Sequence, residues 1–131
     1  MSREYHVDIA QHAASVDAKW LDNLLSRFEI PGVATARQGI ARRVSSIGIY
    51  HVALIRRLTA ELGMSTGIAV SVAMTLLDGA ASAAFCVTAG VELRLNRPEF
   101  EREVDAAISV AVESVSPARR GRPPSSSSNR G

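Results

Sequence analysis

Residues 17–46 read DAKWLDNLLSRFEIPGVATARQGIARRVSS, and this stretch decides the fold. Asp17 stands ahead of a run in which Leu21, Leu24, Leu25 and Phe28 recur at helical spacing, so its carboxylate can accept from the open N–H groups of a first helical turn. The predicted helix, 17–28, buries that stripe. It turns Lys19, Asp22, Asn23 and Ser26 outward, with Arg27 at the flank and Trp20 at the border. Pro31-Gly32 stops it, because Pro cannot continue a helix and Gly accepts turn geometry. Residues 33–44 are short, β-tolerant and centred on Gln38-Gly39, which predicts a small hairpin, or wing, with Arg37, Arg42 and Arg43 around it.

Upstream, residues 6–13 predict a short helix with Val7, Ile9, Ala10 and Ala13 as apolar positions, joined to helix 17–28 by a turn at Ala14-Ser15-Val16. Downstream, Ser45 or Ser46 caps a long helix ending near Leu62, with Ile47, Tyr50, Leu54, Leu58 and Leu62 as its stripe and Gly63 as a left-handed stop. Ser65 caps a helix through Leu77 that is apolar nearly all round and is therefore expected to be buried, in this chain or against another copy. Residues 80–90 carry no clear pattern. Val91 to Leu95 alternates and predicts a strand, and Asn96, with Pro98 in the first turn and Glu99 completing a capping box, opens a last helix. Its stripe is Phe100, Val104, Ile108, Ala111 or Val112, and Val115, and Pro117 is expected to end it.

The order helix, turn, helix, Pro-Gly, hairpin, long helix resembles the winged helix-turn-helix domain of the MerR family. The residues that carry the resemblance are Arg42-Arg43-Val44-Ser45, Ile55-Arg56-Arg57 and Leu62-Gly63-Met64-Ser65, and it covers roughly residues 5–77. The family pattern has Tyr where this chain has Val44, an acidic residue where it has Gly48, and a spacing from Arg56 to Gly63 one residue shorter. No long coiled coil follows, so the chain is more similar to the small MerR-like proteins of toxin–antitoxin and prophage settings than to metal-sensing activators. The resemblance implies a winged module over 1–62; the residue patterns beyond it predict a strand–helix accessory segment over 63–117 and, for want of apolar residues to bury, a disordered basic tail over 118–131, so that the whole is expected to be mainly α.

Charge is sorted along the chain. The 131 residues hold 15 basic and 13 acidic groups. Arg119, Arg120, Arg122 and Arg130 sit in the last thirteen positions, without an acid among them. From Ile30 to Ala60 there are five arginines and again no acid, whereas Pro98 to Val115 holds five acids against Arg102 alone. Such sorting suits a protein that meets a polyanion with one part and something else with another. The N-terminus lacks the apolar region of a secretory signal, and the longest apolar run falls short of a membrane span, so a cytoplasmic, nucleoid-associated protein is expected. A single cysteine, Cys86, excludes an internal disulfide and is expected to be buried and inert.

These features predict double-stranded DNA as the partner. Lys19 and Arg27 can reach phosphate or guanine, Asn23 can pair with adenine, and Arg37, Arg42 and Arg43 suit the flanking backbone or minor groove. In the tail, Arg120-Gly121-Arg122-Pro123 is similar to the core of an AT-hook, extended by Arg119. Gly lets the backbone approach the minor-groove floor, and the guanidinium groups meet its negative potential. The surplus apolar stripe of the last helix predicts a homodimer, and its acids leave room for a second role, as an antitoxin-like protein binding a toxin or another protein partner. Enzymatic chemistry finds no footing: His6, His12 and His51 lie on separate elements, and Gly63-Met64-Ser65-Thr66-Gly67 lacks the spacing of a nucleophile elbow. Glu101, Glu103 and Asp105 read as a solvated helix face. No cofactor or metal is expected.

Overall fold

The computed structural model describes residues 3–34, 42–78 and 84–119, with side chains described as far as Ser114. Five helices and two small antiparallel sheets make up these residues. Asp17 caps its helix as expected, its Oδ1 accepting the Trp20 N–H at 2.7 Å. The helix before it, α1 (Val7–Ala14), lies one residue later than expected, and α2 spans Ala18–Arg27. Between them Ser15 takes the left-handed conformation, φ 56°, and donates its N–H to the end of α1, which turns the chain within three residues. Leu21 and Leu24 are buried, while Leu25 and Phe28 are half-buried against the same core.

A three-residue strand that the sequence reading did not anticipate, β1 (Glu4–His6), pairs antiparallel with β2 (Arg43–Ser45), with Tyr5 opposite Val44. On the other side of β2, Val33 bridges to Val44 and the Ala34 N–H donates to the Arg43 carbonyl at 2.9 Å. The two ends of the predicted hairpin therefore run side by side. Its centre at Gln38-Gly39 lies outside the described residues.

Helix α3 (Ser46–Glu61) is capped by Ser45, whose hydroxyl accepts from the Gly48 N–H at 3.3 Å. The Ser45 N–H and hydroxyl both donate to the Gly32 carbonyl, at 2.8 and 3.1 Å, and lock the Pro31-Gly32 turn onto the start of α3. The predicted single stripe on α3 needs correction. Ile47 and Leu62 are exposed at its ends, and the buried set is Gly48, Ile49, His51, Val52, Ala53, Leu54, Ile55 and Leu58. Those residues span most of the circumference because α3 is packed by α1, α4 and α5 at once.

Gly63, φ +71°, ends this region, and Ser65 caps α4 (Thr66–Leu77) through the Ile68 N–H, both as expected. Within this chain α4 is not buried all round: Ile68 and Met74 face outward. The unpatterned stretch contains β3 (Ala84–Thr88), which forms a hairpin with β4 (Val91–Arg94), so that after α4 the accessory segment is a hairpin and a helix where one strand and a helix were expected. Cys86 is exposed, contrary to expectation, because strand alternation turns Phe85 toward the core and Cys86 away, beside Glu92.

Asn96 caps α5 (Arg97–Arg119) by accepting the Glu99 N–H at 3.3 Å. The helix continues through Pro117 for two more residues, so Pro117 does not end it, although its ring removes one backbone hydrogen bond of the last turn. Its stripe, Phe100, Val104, Ile108 and Ala111, is buried as predicted, but inside this chain and chiefly against α1. The stripe from which a homodimer was expected is covered within this chain as far as it is described; the Val115 side chain lies outside the described residues, and Val110, off the stripe, is 61% exposed. Residues on both sides of Leu62 share one core.

Candidate nucleic-acid interface

Helix α2 lies on the surface, its apolar stripe inward and its polar face open. Lys19, Asn23 and Arg27, four residues apart in turn, are all exposed and form one line of about 12 Å along the helix. Asp22 and Ser26 lie on the same side. An acid there would repel a polyanion, yet it is neutralised: Arg42 Nη1 sits 3.1 Å from Asp22 Oδ1, and Nη2 is 3.5 Å from the Ser26 hydroxyl. The Arg42 side chain is only 22% exposed. Arg42 was expected to face phosphate; instead it ties β2 to the outer face of α2. Arg43 beside it is exposed and makes no ion pair among the described residues.

Two further arginines of the acid-free span, Arg56 and Arg57, have partners distant in sequence. Arg57 pairs with Glu103 at 2.9 Å and lies over the Phe100 ring, and Arg56 lies 5.6 Å over the Trp20 ring. A segment without acids in sequence is thus partly neutralised in space. The same contacts occupy acids of α5 expected on a solvated face: Glu101 pairs with Arg97, and Asp105 accepts from the Tyr50 hydroxyl at 2.6 Å. Burial and that hydrogen bond to a carboxylate push Tyr50 ionisation well above the ordinary phenol range.

Two departures from the MerR-like pattern have local physical reasons. Val44 is fully buried, so no side chain there could reach a phosphate. A Cβ on Gly48 would stand 2.7 Å from Val44 Cγ1 and 2.8 Å from the Gly32 carbonyl, so an acidic side chain does not fit. Gly32, φ +86°, completes the close approach from its own side.

Of the predicted site residues, Lys19, Asn23 and Arg27 share a face, Arg42, just ahead of β2, packs on that face, and Arg43 is exposed at the start of β2. Arg37, Arg120, Gly121, Arg122 and Pro123, and the side chain of Arg119, lie outside the described residues. Asp22 and Ser26 are the residues that sequence reasoning missed as partners of Arg42. Separations of 20 and 16 positions give no periodic signal that could have revealed them.

A cleft of about 610 Å³ opens at the C-terminal end of α2, between Phe28, the Pro31-Gly32 turn, Arg42 and Met74. Among the described residues, no group of three or more His, Cys, Asp or Glu gathers where a metal ion could sit, and no helix is long and apolar enough to cross a membrane. The fold and surface define a mainly helical protein with two small antiparallel sheets and one exposed helix bearing Lys, Asn and Arg in line. Compared with family models, with curated proteins and with solved structures, the chain has no match.

Proposed function

We propose that this chain is a sequence-specific, double-stranded-DNA-binding regulator of winged helix-turn-helix, MerR-like type, with α2 as the element that reads the major groove. The observation that carries the reading is the clamp of Arg42 on Asp22 and Ser26. It fixes the residue just ahead of β2 to the outer face of α2 while neutralising the one acid on that face. Lys19 and Arg27 then offer charge to phosphate or guanine, and Asn23 an amide that can pair bidentately with adenine. The short left-handed turn at Ser15 and the capped start at Asp17 support it, since a reader helix must be held rigidly at its N-terminal end. In this reading Arg43 and Arg37 contact the flanking backbone, and the tail arginines follow the minor groove beside the site.

The test is direct binding. Duplexes selected from a random library by the full chain, together with the duplex upstream of its own gene, are titrated by fluorescence anisotropy across a salt series. The reading predicts a selected consensus and an affinity that falls linearly in log–log form with salt, as phosphate contacts release cations. Absence of any enriched sequence, with no duplex bound at low salt, would dispose of it.

A further inference from the structure

Strand β4 has a second edge to which no described strand pairs, since its sheet contains β3 and β4 alone. Strand β3 is the one that packs against α4, leaving β4 on the outside. A two-stranded ribbon is marginal by itself, and an open edge presents a row of backbone donors and acceptors. On the hairpin's apolar face Phe85, Leu93 and Leu95 reach the core, but Val91 overhangs it, 49% exposed, and Val87, at the irregularity in the ladder between Cys86 and Thr88, is 52% exposed.

We propose that β4 pairs antiparallel with β4 of a second copy of this chain, on a twofold axis through Leu93. The occupant is set by the charges. Glu92 and Arg94 flank Leu93 on one face, already 3.1 Å apart within the strand. A twofold through Leu93 puts Glu92 opposite Arg94 of the other copy, and Arg94 opposite its Glu92, so four charges alternate around the axis. It also lays exposed Val91 beside Leu95 of the other copy on the apolar face. A twofold through residue 92 or 94 would set like charges directly opposite, which is unfavourable, and a slip by one residue would exchange the two faces. The strand is self-complementary in one register, and the product is a four-stranded sheet in the order β3, β4, β4, β3. This inference holds whether or not the chain binds DNA.

Charge reversal in the full chain, read by light scattering at about 100 µM and by a dilution series, tests it. The unaltered chain is expected to have the mass of two copies. Glu92→Arg and Arg94→Glu each set like charges opposite and are expected to weaken self-association by about tenfold or more. Mixed one to one, the two variants are complementary across the axis and are expected to recover the double mass as a heterodimer. That recovery separates the contact between copies from the contact within the strand, because each variant keeps like charges within its own strand. A single-chain mass for the unaltered protein would overturn the proposal. So would single variants that associate as tightly as the unaltered chain, or a mixture that stays monomeric.

Discussion

A methyl group at position 48 would meet Val44 Cγ1 at 2.7 Å and the Gly32 carbonyl at 2.8 Å. Replacing Gly by Ala inside a helix ordinarily stabilises by roughly 0.5–1 kcal/mol. At Gly48 the sign should reverse: Gly48→Ala is expected to cost about 1–3 kcal/mol, because neither a buried valine nor a turn carbonyl held by Ser45 can give way. Urea denaturation measures this, and equal or greater stability would show that the contact between the Gly32 turn and α3 is looser than described. His51 supplies a second residue-scale prediction. It is buried, its Nδ1–H donates to the Ile47 carbonyl at 2.9 Å, and its pKa is lowered, first by burial and also by the charge of Arg97. A histidine whose folded pKa lies below its unfolded value contributes stability that is present above the unfolded value, about 6.5, and lost as pH falls below it. Unfolding free energy should therefore drop between about pH 7 and pH 5, and His51→Leu should flatten that drop. An unchanged pH profile in the variant would remove His51 as its cause. Neither role was legible beforehand. Gly48 read as a missing acid and His51 as one of three scattered histidines, since both depend on atoms brought from other elements.

The elements themselves were legible wherever a short polar side chain precedes an apolar run. Asp17, Ser45, Ser65 and Asn96 each cap the expected helix, because capping is a bond to a backbone N–H only three residues away. The strands β1 and β3 were missed for the opposite reason. Three residues of β1 show no period, and its pairing partner lies about 40 positions away. The long-range clamp by Arg42 also changes what its removal should do. Arg42→Ala is expected to weaken binding to all duplexes and to lower stability by up to about 1 kcal/mol, the scale of an exposed ion pair. Asp22→Asn should reproduce only the stability part. Arg43→Ala should leave stability unchanged and reduce the salt slope of DNA binding by about one. Thermal melts and salt titrations of the three variants check this; identical behaviour of Arg42→Ala and Arg43→Ala would deny the clamp.

At the scale of the molecule, α5 closes the core over α1 and α3. The sequence displays its stripe but carries no mark of the surface that will cover it, which is why Phe100, Val104 and Ile108 read as surplus. Val104 is 3% exposed. Val104→Glu is therefore expected to unfold the chain, at a cost of at least about 3 kcal/mol for a carboxylate without a partner, rather than to dissociate a folded dimer. Circular dichroism separates these outcomes: a native spectrum at reduced mass would contradict the intramolecular packing. With α5 and α3 holding the body, α2 is left as an exposed helix whose open face is basic and amide-bearing, and the proposal that it reads DNA stands or falls on that face. Its most direct measurement compares affinities for the selected duplex and for random duplex in Lys19→Ala, Asn23→Ala and Arg43→Ala. Loss of base contacts through Lys19 and Asn23 should cost about 1–3 kcal/mol on the selected sequence and much less on random DNA, whereas Arg43→Ala should weaken both alike. Equal losses on both duplexes for Lys19→Ala and Asn23→Ala, or none, would show that α2 does not read DNA.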